Sequence, residues 1–188
     1  MVPCCSRCVT FGGMKLEIDP VAEIEAISSI LDAFDALIQQ GPETTQRQDP
    51  SVSGWSVIQH LYHCALATGL SLRNVTSLVR GKGRLIQTEG ELSERAREVL
   101  LSERTKRGEA EAPRMVTPPE EVDPSFLDME LKSNRSDLKR LGEESAQIAA
   151  APRWIPHQLL GPFDALAWLR FTRLHAQHHL DIANDVLA

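Results

Sequence analysis

Apolar residues recur at alternating three- and four-residue steps along four long stretches of the chain, the period of helices that each bury one stripe. The first stripe is Ile24, Ile27, Leu31, Phe34 and Ile38, while Glu23, Glu25, Asp32 and Asp35 fall mostly on other faces. Asp19-Pro20 opens it as cap and first helical residue, and Gly41-Pro42 closes it. The second covers residues 55–80, begins at Ser53 or Ser56 and stops at Gly81-Lys82-Gly83. Its apolar residues (Val57, Ile58, Leu61, Leu66, Leu70, Leu72, Val75, Val79) go most of the way round its first half, which is therefore expected to be deeply buried. The third stripe is the cleanest: Leu127, Leu131, Asn134, Leu138, Leu141, Ser145 and Ile148, started by Asp123 or Ser125 and ended by Pro152. The fourth helix is expected over residues 163–187, with a seam of Trp168, Phe171 or Thr172, His175, His179, Ile182 and Val186. No stretch has a strand pattern.

Two regions fall outside these stripes. Residues 83–124 hold a short charged helix around 91–104, then Gly108, Pro113, Pro118, Pro119 and Pro124, and read as a long crossover between the second and third helices. Residues 1–13 have no periodicity and read as a disordered extension, with Met14 as an alternative start of translation. Cys4, Cys5 and Cys8 crowd into that extension, but three thiols without a nearby His or a second Cys pair do not close a tetrahedral metal site. The pattern gives an all-α fold: an extension over residues 1–13, then one four-helix bundle domain over 14–188.

Composition narrows the function classes. At 188 residues the chain is long enough for one sizeable core, and a formal charge of −6 without a basic, aromatic-interleaved stripe offers nucleic acid no electrostatic footprint. Apolar residues make up 42% but never run uncharged for the length of a bilayer span, and the N-terminus lacks a signal-peptide layout. With Cys64 the one cysteine of the body, a reducing, cytoplasmic compartment is expected.

The candidate chemistry lies in the fourth helix. His175 and His179 are four residues apart, so on a helix they stand one above the other and two imidazoles can grip one divalent cation. A third imidazole comes from the second helix, His60 or His63, giving the ligand count of an open catalytic metal site. Other chemistries lack their parts. There is no His-Glu-x-x-His, no Gly-x-Ser-x-Gly elbow and no Glu-x-x-His pair. Asp164 and Asp181 do not match the His seam and read as solvated charges, as His157 and His178 read as hydrogen-bonded rim or core residues. Cys64, one residue from His63, points along another face and has no adjacent base.

The Trp55-Ser56 pair at a helix start with a His eight residues after the Trp, and a last helix reading Trp168, His175, His178-His179 after Gly161-Pro162, resemble the DinB-like superfamily, including its YfiT-type members, over residues 19–188. The resemblance implies an up-down-down-up four-helix bundle, often a homodimer, with zinc or nickel held by three histidines. The Trp-to-His spacing selects His63, with His60 in reserve, and the last-helix pair supplies His175 and His179. It also implies a thiol-dependent S-transferase, taking a low-molecular-weight thiol and a small electrophile. Physics alone equally allows water as nucleophile, hence a metal-dependent hydrolase; a non-catalytic, dimeric stress or partner-binding bundle is the remaining alternative.

Overall fold

The computed structural model describes residues 9–11, 14–102, 105, 107–108 and 111–188. Its α-helices are α1 (Pro20–Gln39), α2 (Pro42–Thr45), α3 (Val57–Arg80), α4 (Glu94–Leu101), α5 (Pro124–Glu143), α6 (Ser145–Ala150) and α7 (Ala165–Leu187). A 3-10 turn covers Arg114–Val116. The chain is mostly helical, as the stripes require, and among the described residues no helix is long and apolar enough to cross a membrane.

The helix ends follow from local chemistry. The Asp19 carboxylate accepts the Val21 N–H at 3.0 Å, Pro20 needs no partner for an N–H it lacks, and α1 starts there. Gln59 Oε1 accepts the Ser56 N–H at 2.9 Å, so α3 begins just after Ser56. Gly81 ends α3 in the left-handed region at φ 65°, where a side chain would be strained. Asp123 caps α5 through the Ser125 N–H at 2.8 Å. The expected third helix is divided: the backbone leaves helical geometry at Glu144 (ψ 17°), and Ser145–Ala150 continues as α6.

The fourth helix starts two residues later than its apolar pattern suggests, because Asp164 caps it by accepting the Ala167 N–H at 2.8 Å. The residues before it form a hairpin that the sequence did not announce: β3 (Ile155–His157) pairs antiparallel with β4 (Gly161–Phe163). Pro156 and Pro162 face each other at its central pair, and an antiparallel ladder alternates bonded with non-bonded pairs, so neither proline is asked to donate. Gln87 and Trp154 exchange both backbone hydrogen bonds, at 2.8 and 2.9 Å, and tie the crossover to this hairpin. A second hairpin joins β1 (Val9–Phe11) to β2 (Met14–Leu16), so Val9–Phe11 is extended and paired. The rest of the expected disordered extension, with Cys4, Cys5 and Cys8, lies outside the described residues.

The four long helices carry the core. Helix α3 lies against α7 and α5, and α1 lies against the same two. Phe34, Leu31, Ile27, Leu61, Leu72, Leu127, Leu138 and Leu141 are fully enclosed between them. In α1 it is Ile30 and Leu37 that complete the buried stripe, while Ile38 is only partly covered. Two polar joints set the helices in register. Glu23, 4% exposed, pairs with Arg170 at 2.6 Å and Arg173 at 2.8 Å, and Arg135 bridges Asp32 and Asp35 at 2.7 and 2.6 Å. Closest of all is the packing of α3 on α7, the two helices that bear the histidines.

Candidate metal centre

One turn of α3 faces two turns of α7, and three imidazoles meet between them. His63 is 3% exposed and His179 8%, while His175 is half-buried. One potential ligand atom from each lies within 4.8 Å of the others, so the group could hold a metal ion. His63 Nε2 and His175 Nε2 are 3.2 Å apart. An ion with bonds of roughly 2.0–2.1 Å at tetrahedral angles sets its ligand nitrogens ~3.3 Å apart, so this pair is spaced for a shared cation and His179 has a short distance to close.

The outward-facing ring nitrogens decide which nitrogens are offered. His63 Nδ1 lies 2.9 Å from the Val116 carbonyl, which can only accept, so Nδ1 carries the proton and Nε2 a lone pair. His179 Nδ1 is 3.0 Å from His60 Nδ1, which leaves its Nε2 for the group. Metal-ligating histidines are held in this way, by a partner on the nitrogen that does not bind. Trp55, half-buried, lies across the group with ring centroids 5.1 Å from His63 and 6.4 Å from His179. On the other side Phe171 stacks on His175 at 5.7 Å.

Burial, reinforced by neighbouring imidazoles, pushes His175 down to about 3 and His60 to about 4, and drives His179 well below the usual range. Burial also lowers His63, against the opposing pull of the Val116 hydrogen bond. All four are therefore neutral at pH 7, with lone pairs available. Protons thus compete for the nitrogens of His175 and His179 only well below the pH ~6.5 of an unperturbed His.

The sequence-derived residues sort cleanly. His63, His175 and His179 come together; His60 stands behind His179 with both ring nitrogens engaged, Nε2 on Ser53 Oγ at 2.8 Å. His157 lies apart, its Nδ1 accepting the Leu159 N–H at 3.3 Å and its ring packed on Phe163, Trp168 and Phe171. His178 bonds the backbone of Thr105. Asp164 is a helix cap, and exposed Asp181 accepts from Gln177 at 2.7 Å. Cys64 is fully enclosed and burial raises its thiol to about 12, so it is no nucleophile at neutral pH.

Val116 and Ser53 were not legible as site residues. Val116 acts through its carbonyl, which no side-chain pattern reveals, and it arrives on the crossover, held to α3 by Gln59 Nε2 donating to the Pro119 carbonyl at 2.9 Å. Compared with models of protein families, with curated proteins and with solved structures, the chain matches none of them.

Proposed function

We propose that this protein is a metal-dependent enzyme on a DinB-like four-helix bundle, holding zinc or nickel through His63, His175 and His179, and acting as a thiol-dependent S-transferase on small electrophiles. The observation that carries the metal part is the convergence of three neutral imidazoles, two of them braced from behind, in a group within 4.8 Å. The pairing of α3 and α1 each with α7 and α5 suits a bundle of four. Three neutral ligands leave a bound cation its full charge and an open position, which favours the deprotonated form of a thiol or water brought there.

The chain's own residues supply the rest. Val116 fixes the face that His63 presents, and Trp55 shields one side of the group from water. Among the described residues the one cysteine, Cys64, does not compete as nucleophile, since its thiol is enclosed and protonated. The thiol cosubstrate itself comes from the resemblance of Trp55, His63, Trp168, His175 and His179 to the DinB-like pattern.

The test has two stages. Protein purified without chelators is assayed for zinc and nickel, then mixed with cellular thiols and an epoxide or chlorinated arene. Turnover should require metal and thiol together, vanish in His175→Ala and survive in Cys64→Ala. Turnover without thiol turns the assignment to a hydrolase. Absence of metal, even on titration, turns it to a non-catalytic bundle, and sedimentation of the same samples tests the homodimer that the resemblance implies.

A further inference from the structure

His60 and Ser53 form a line of polar contacts behind the three ligands that metal binding by itself does not require. His60 is 2% exposed, with Nδ1 3.0 Å from His179 Nδ1 and Nε2 2.8 Å from Ser53 Oγ. Two neutral imidazoles facing each other through one nitrogen apiece share a single proton, so one donates and the other accepts. Two arrangements satisfy the line. In the first, His179 Nδ1–H donates to His60 Nδ1 and His60 Nε2–H donates to Ser53 Oγ, leaving a lone pair on His179 Nε2. In the second, Ser53 O–H donates to His60 Nε2 and His60 Nδ1–H donates to His179 Nδ1, which leaves the proton of His179 on Nε2, where it blocks a cation.

Ser53 Oγ also accepts the Trp55 N–H at 3.1 Å, and a hydroxyl has two lone pairs, so it can take both N–H groups in the first arrangement. His63 has no such choice, because the Val116 carbonyl cannot donate. The two enclosed ligands are thus held differently: one is locked by backbone, the other is set by a side-chain line that reaches the loop before α3.

We propose that His60, seconded by Ser53, is a positioning residue that holds His179 in the tautomer presenting Nε2 to a cation, and is not itself a ligand. This rests on the metal assignment above. Its signature is a graded loss of affinity without loss of stoichiometry, since removing the partner of a ligating His costs about ten- to a hundredfold in metal affinity.

The experiment titrates Co(II) into the full chain and into four variants, reading affinity, stoichiometry and the visible absorption of the bound ion. His60→Asn keeps an acceptor on Cγ, near the place of Nδ1, and should bind within a few-fold of the parent. His60→Leu has no acceptor and should weaken binding by about ten- to a hundredfold with one ion and an unchanged spectrum. Ser53→Ala should show a smaller loss in the same direction, and His179→Ala none of the binding. Affinity in His60→Leu equal to the parent overturns the proposal, and so does a changed spectrum that Asn fails to restore, as a lost ligand would give. A parent that binds no Co(II) refutes the metal assignment itself, which is a different result. Circular dichroism checks that each variant is folded. Should His60→Leu not fold, Ser53→Ala and the proton spectrum of the Co(II) parent decide: slowly exchanging, strongly shifted N–H signals from both His63 and His179 are expected, whether or not His175 adds a third, and fewer than two overturn the proposal.

Discussion

His157 and the His63–His175–His179 group make an instructive pair. His157 sits among Phe163, Trp168 and Phe171, and burial alone pushes it down to about 4, much as burial pushes down the histidines of the group. Both environments hold neutral imidazole, yet only one brings several ring nitrogens to a point. Burial and a lowered pKa therefore do not single out a candidate ligand; convergence does. At His157 the aromatic neighbours use the flat of the ring and a backbone N–H uses one nitrogen, so the residue works as packing.

The sharpest way to break that distinction is substitution on each side of it. His175→Ala and His179→Ala should each abolish metal binding in titration calorimetry. His157→Ala should keep one ion per chain while lowering the melting temperature, because it opens a hole beside Phe163 and Trp168. Loss of metal in His157→Ala would erase the difference. Next in size is the effect of the ion itself. A cation bound only by the folded chain and supplied at a hundredfold its Kd should stabilise the protein by about 2.7 kcal/mol, reversed by a chelator, in the parent but not in His179→Ala.

Acid acts on both regions and should separate them more finely. A His whose folded pKa is depressed contributes stability that is fully present above its unfolded value near 6.5 and lost as pH falls toward the folded value. For His157 that window runs from about 6.5 down to about 4, with a slope of at most ~1.4 kcal/mol per pH unit. Metal-free protein should thus lose denaturant stability steadily below pH 6.5, and His157→Phe should lose it less steeply. A slope unaffected by His157→Phe would show that this His is not held neutral. Smallest of all, His178→Ala and Cys64→Ala should leave metal stoichiometry unchanged. His178 lies about 100° round the helix from His179, and Cys64 is enclosed away from the group, so metal loss in either would overturn the facial assignment.

Much of the scaffold was legible because helix stripes and their ends are local. Asp19-Pro20, Ser56 and Gly81 mark the ends of α1 and α3 in the sequence and mark them in space. Asp164 gave the same kind of signal, an Asp before a run of helix formers, but Phe163 ahead of it extends the apolar pattern and hid the true start of α7. The β3–β4 hairpin was illegible for a physical reason: its two prolines are poor strand formers, and they are tolerated because they face each other at one pair and because Trp154 just before the hairpin is paired with Gln87.

What the sequence determined by itself was one dimension of the site: His175 and His179 four residues apart on a helix must share a face, whatever surrounds them. Helix geometry alone did not choose between His60 and His63 on α3, since three residues are close to one turn; only the resemblance in Trp-to-His spacing favoured His63, with His60 in reserve. Tertiary structure made that choice. The rotation of α3 against α7 turns His63 Nε2 toward His175 and sets His60 behind His179, and the crossover, from fifty-three residues away, brings the Val116 carbonyl to His63 Nδ1. A hydrogen bond between such distant positions depends on how the elements pack, and packing is a property of the whole core rather than of any local pattern.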